Sequence, residues 1–209
     1  DWKEINGIAI KKDGKIHSNN LRPLEKDLDN FPFPKRLPLK EYALGEKFAT
    51  IIAGRGCIYS CSFCNTRKFY SLPPGPAKRI RRPEMVVSEM EYLHKQKRCS
   101  VFLFQDDDFP VNPKYNGDWI RKFCEELKSR DLNGNILWKI NCRPDEVDKE
   151  TFTLMKTHGL FHTFLGIEDG TDIGLKRFNK HLTVQESLKG IAILKELNIG
   201  FDYGFILFH

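Results

Sequence analysis

The chain has 209 residues, 40% hydrophobic and 30% charged, with six cysteines and a formal net charge of +6. This length and balance predict one large core with a small appendage, and exclude a disordered chain or a disulfide scaffold. No apolar run reaches the ~20 residues that span a bilayer, and no signal peptide opens the chain, so the cytoplasm is the expected compartment.

Residues 1–47 read as an N-terminal linker. Gly7 to Ile16 forms a small hairpin turning at Asp13-Gly14. Asp27 to Pro34 is proline-rich and extended, unable to be helix or inner strand. From Phe48 to His209 strands and helices alternate. Strands are expected at 48–53, 100–104, 136–140, 160–167 and 201–208, with helices over about 82–97, 118–130, 148–157 and 184–197. Thr183 and Glu186 form a capping box at the start of the last helix. Parallel strands joined by helical crossovers define an α/β fold. No GxGxxG follows any strand, which argues against dinucleotide binding.

Between the first strand and first helix lies Gly54-Arg55-Gly56, read as a flexible exit, and then Cys57, Cys61 and Cys64. Three thiols within eight residues after a glycine turn suit a multi-iron centre or a zinc ion. No second C-x2-C follows to complete a zinc site, and three thiolates on an iron cube leave one iron open. Cys99, Cys124 and Cys142 are dispersed among apolar neighbours and read as small core residues. Lys78 to Arg82 is the one dense basic run, expected to be a solvated loop; nucleic acid is not indicated, since no aromatic residues interleave it.

Polar groups stand where each later strand stops: Asp106-Asp107-Asp108, then Asn141 and Arg143, then Glu168. In parallel β/α barrels the carboxyl ends of the strands form the active rim. A triple aspartate after a buried strand calls for a cation, and magnesium is one reading of it. The six histidines show no paired metal spacing.

Cys57-x3-Cys61-x-Phe63-Cys64, directly after a strand, resembles the signature of the radical S-adenosylmethionine (SAM) enzymes. The resemblance implies a partial parallel β/α barrel, TIM-barrel-like, with five of six β/α units present. It also implies a [4Fe-4S] cluster on Cys57, Cys61 and Cys64, and SAM on the open iron. It further implies that an external one-electron reductant drives cleavage of SAM to a 5′-deoxyadenosyl radical. The linker DLDNFPFPKRLPL and the stretch Phe104 to Phe109 are similar to the cobalamin-dependent branch. That branch includes methyltransferases and the Mg-protoporphyrin monomethyl ester oxidative cyclase.

By the same resemblance Phe63 lies against the SAM adenine, Asp106 or Asp107 meets its ammonium, Arg143 suits a carboxylate, and Glu168 of Gly-Ile-Glu-Asp-Gly approaches SAM. Asp169 departs from the family's serine, and Ile206 to His209 departs from its glycine-rich segment after the fifth strand. The chain, starting at Asp1 and stopping at His209, reads as an excerpt, with a cobalamin domain expected upstream and the sixth unit downstream. The competing reading is a non-catalytic iron–sulfur electron carrier or a zinc-stabilised binding module. Neither motif nor composition selects a substrate.

Overall fold

The computed structural model describes residues 1–37 and 42–207. The expected linker therefore has part of its length, residues 38–41, outside the described residues, as are Phe208 and His209 at the end of the expected fifth strand. Strands β1 (Ala9–Lys12) and β2 (Lys15–Ser18) form the antiparallel hairpin. Asp13 and Gly14 turn it with φ of 51° and 74°, the left-handed geometry of a two-residue hairpin turn. Next, β3 (Tyr42–Ala43) pairs antiparallel with β4 (Glu46–Ile51).

The chain then runs through β5 (Gly54–Arg55), α1 (Thr66–Ser71), β6 (Arg79–Ile80), α2 (Pro83–Lys97) and β7 (Val101–Phe104). It continues with α3 (Pro113–Asn116), α4 (Trp119–Ser129), β8 (Leu137–Cys142), α5 (Lys149–Thr157) and β9 (Leu160–Glu168). Last come α6 (Asp172–Arg177), α7 (Val184–Glu196) and β10 (Gly200–Phe205). The main sheet has the order β10-β9-β8-β7-β4-β3. Strands β4, β7, β8, β9 and β10 run parallel, and β3 is an antiparallel edge. Helices α2, α4, α5 and α7 make the crossovers, so the sheet is a curled half-barrel with the expected five strands.

Strand alternation divides the faces. Ala49, Ile51, Phe102, Phe104, Trp138, Ile140, Leu165 and Ile167 are buried towards the helices, while Thr50, Gln105 and Phe164 remain exposed. Behind β7 and β8 an aromatic cluster fills the core. Phe123 stacks on Trp119 at 5.1 Å between ring centres and meets Trp138 edge-on at 5.3 Å. Thr183 and Glu186 complete the expected capping box of α7.

Three expectations are corrected. Gly54-Arg55-Gly56 is no flexible exit: β5 pairs antiparallel with β6, and Gly54 and Gly56 are buried. The first strand ends at Ile51 rather than at residue 53, because the Ala53 N–H bonds the Asp106 carboxylate instead of a neighbouring strand. The basic run is no solvated loop: Arg79 and Arg81 are buried, and only Arg82 is exposed. Arg81 pairs with Glu89 at 2.7 Å, and Glu89 also pairs with Arg36 of the linker at 2.9 Å. Arg82 donates from its backbone and side chain to Asp29. The run thus fastens the linker to the core through charges that local sequence does not pair. No described helix is long and apolar enough to cross a membrane.

Candidate functional site at the carboxyl rim of the half-barrel

The thiol loop leaves β4 through β5 and lies over the carboxyl ends of β7, β8 and β9. A cavity of about 250 Å³ opens there. Every residue singled out from the sequence lines it: Cys57, Cys61, Phe63 and Cys64 from the loop, and Asp106, Asp107, Arg143 and Glu168 from the strand ends. A larger cavity of about 370 Å³ lies under the linker. It contains no thiol, and the charges of Arg36, Arg81 and Glu89 on its wall are already paired.

Two aspartates hold the base of the loop. Asp106, almost fully buried, accepts the N–H of Ala53 at 3.0 Å and that of Gly54 at 2.6 Å. Asp107 accepts the Gly56 N–H at 3.0 Å. Asp108 turns elsewhere, to the Lys78 ammonium at 3.2 Å. The triple aspartate therefore meets amides and one lysine, each carboxylate on its own partner. This corrects the magnesium reading, and no three acid, thiol or imidazole groups among the described residues gather closely enough to hold a single metal ion. Burial pushes the Asp106 carboxyl up to about 7, against the pull of the amide donors and Lys78. Burial likewise raises Asp108, with Lys78 opposing it.

Sequence reasoning missed Tyr59, Glu146 and Lys180. The Tyr59 hydroxyl donates to Glu146 at 2.8 Å, and the Arg143 guanidinium lies 3.9 Å from the centre of its ring. Arg143 is itself tethered: Nε and Nη2 donate to Asp145 at 2.9 and 3.1 Å, and Nη2 to the Lys180 carbonyl at 2.7 Å. Its Nη1 is buried and has no partner among the described residues. The Lys180 ammonium reaches Glu168 at 3.2 Å and lies 5.9 Å from the Phe63 ring centre. Glu168 ends β9 with φ of 71°, a left-handed backbone that turns its side chain off the strand's alternation. Asp169 accepts the N–H and hydroxyl of Thr171, shaping the turn into α6.

The thiols differ in setting. Cys57 is half-buried, and burial, with Asp108 nearby, pushes it up to about 12; Cys64 is exposed. Cys142 also borders the cavity, but its Sγ lies 3.5 Å from the Thr163 hydroxyl, and burial raises its pKa. Cys99 and Cys124 are buried in the core as expected.

Three thiols from one loop and buried cations opposite them share one cavity at the rim of a β/α half-barrel. The family follows from comparison: residues 51–208 match the Radical SAM superfamily, and the chain belongs to it. It is 32% identical, over 98% of its length, to the anaerobic magnesium-protoporphyrin IX monomethyl ester cyclase of Cereibacter sphaeroides, of which it covers 33%. Among solved structures it resembles the cobalamin-dependent SAM radical enzyme OxsB with aqua-cobalamin and SAM bound. The TM-score is 0.77 at 22% identity, over 100% of this chain and 30% of that one. It also resembles the methyltransferase TsrM from Kitasatospora setae with cobalamin and [4Fe-4S] cluster bound. That TM-score is 0.64 at 19% identity, over 77% of this chain and 31% of that one. The chain spans about a third of the length of these relatives.

Proposed function

We propose that the chain is the core of a radical SAM enzyme in which Cys57, Cys61 and Cys64 hold a [4Fe-4S] cluster and the same cavity takes SAM. The observation that carries this reading is that the three thiols and the polar residues at three strand ends line one cavity. The donor set fits the cluster: three thiols from one loop on one cavity offer one ligand to each of three irons and leave the fourth open. When bound, the cluster and SAM supply one-electron cleavage of the sulfonium to a 5′-deoxyadenosyl radical.

The protein's part is to bind and orient. Arg143 Nη1 and the Lys180 ammonium, both buried, offer positive charge to the methionyl carboxylate. Glu168, beside Lys180, is the carboxylate best placed for the methionyl ammonium or ribose. Asp106 and Asp107 act mainly through the loop amides, which shifts them from contacting SAM to holding the thiols. Phe63, half open beside Phe178, offers a ring face to the adenine.

An external one-electron reductant, a cytoplasmic setting and cobalamin held by a part of the protein outside residues 1–209 belong to this reading. The relatives named above support methyl transfer or oxidative cyclisation as the outcome. In this reading residues 1–47 join that part to the core at 48–209. Anaerobic reconstitution with iron and sulfide tests the proposal. The expected result is about four irons per chain, loss of iron on replacing any of the three cysteines with alanine, and 5′-deoxyadenosine release from SAM under reduction. One equivalent of zinc, without SAM cleavage, overturns it in favour of a zinc-stabilised binding module.

A further inference from the structure

We infer that Tyr59 is a positioning residue that couples the thiol loop to Arg143, so that the cluster site and the site for the SAM carboxylate are set by one side chain. The inference deepens the radical SAM reading and rests on it. Tyr59 stands between Cys57 and Cys61, and its own N–H lies 3.4 Å from the Cys57 sulfur. Its hydroxyl crosses 87 residues of sequence to Glu146, just past the end of β8. Glu146 is buried, and its other oxygen accepts the Arg143 N–H at 3.2 Å. The loop is therefore latched to the same turn that carries the arginine.

The guanidinium is held in its plane and on one face, and one of its nitrogens is left unbonded. Asp145 and the carbonyls of Lys180 and His181 take Nε and Nη2 in its plane, and the Tyr59 ring supports its face at 3.9 Å. Among the described residues nothing bonds Nη1, which is buried, in a side chain that lines the cavity. Asp145 and the carbonyls set the in-plane direction of the guanidinium, while the ring sets its tilt. A shift of the tyrosine therefore displaces the free N–H and the thiol loop together. The turn beneath does not yield: α7 packs so closely on it that a Cβ on Gly190 would lie 2.4 Å from the Pro144 carbonyl oxygen.

The test uses anaerobically reconstituted protein and reads three quantities: iron per chain, SAM dissociation constant by equilibrium dialysis, and the change in the reduced cluster's electron paramagnetic resonance spectrum on adding SAM. Tyr59→Phe keeps the stacking ring and loses the latch. It is expected to retain iron, bind SAM about tenfold more weakly and show a diminished spectral change. Glu146→Leu removes the latch from the other side and gives the same loss. Glu146→Gln can keep the latch, with its amide oxygen accepting the Arg143 N–H and its NH2 donating to the phenol oxygen, and binds SAM as the unaltered protein does. Unaltered SAM affinity in both Tyr59→Phe and Glu146→Leu overturns the inference, as does loss of iron in Tyr59→Phe, which would make the tyrosine a support of the loop alone. If the unaltered protein takes up no cluster, the radical SAM reading fails and the inference with it; variants that match a competent parent remove the inference only.

Discussion

The carboxylate of Asp106 accepts the backbone N–H of Gly54 at 2.6 Å, joining the end of β7 to the exit of β4 across 52 residues. The same carboxylate accepts the Ala53 N–H, so one side chain satisfies two buried donors that no strand pairs. Replacing it with alanine leaves both amides unsatisfied. Asp106→Ala is expected to lower the unfolding free energy by about 2 kcal/mol, measured by urea denaturation, with faster hydrogen exchange at Ala53 and Gly54.

The same group makes stability depend on pH. Burial raises the Asp106 carboxyl from 3.8 to about 7, so the folded chain holds its proton more tightly than the unfolded chain does. Its contribution is complete below about pH 4 and is lost as pH rises through about 7. Asp106→Asn cannot titrate. The difference in urea midpoint between parent and variant should therefore change between about pH 4 and 7 and be level above that window.

Gly56 carries the chain into Cys57 with φ of 82°, and a Cβ there would lie 1.8 Å from the Ala77 carbonyl oxygen. Both the backbone sign and the contact exclude a side chain. Gly56→Ala is expected to cost at least about 2 kcal/mol and to displace Cys57, read as a lower melting temperature together with reduced iron uptake on reconstitution.

Glu89 lies on α2 with its side chain 2% exposed, between Arg81 at 2.7 Å and Arg36 at 2.9 Å. Glu89→Gln leaves two cations facing each other in a mostly buried site. A loss of about 3 kcal/mol is expected. Cleavage between residues 25 and 37 in limited proteolysis should accelerate, since Arg36 is one of the linker's anchors.

The half-barrel could be read from sequence because its five parallel strands and four crossover helices are written in local periodicity. The runs at Val101–Phe104 and Leu160–Glu168 have little alternative to buried strand, and Thr183 with Glu186 marks a helix start within four residues. The short elements β3, β5, β6 and α6 were not legible, since two to six residues carry no period and form only where a neighbour supplies the other half of the pairing. Lys180 gave no signal at all: a lone lysine after a short helix looks solvated until Glu168 and Phe63 close around it.

Chemistry and partnership were decided at different levels. The types and spacing of Cys57, Cys61 and Cys64, and the acids at the strand ends, are properties of the chain, because ligand chemistry and β/α alternation are local. Which carboxylate faces a ligand and which faces an amide was decided only by tertiary structure. Asp106, Asp107 and Asp108 are adjacent in sequence, yet they bond Gly54, Gly56 and Lys78, because successive residues leaving a strand point in different directions and each buried charge takes the donor that folding brings to it.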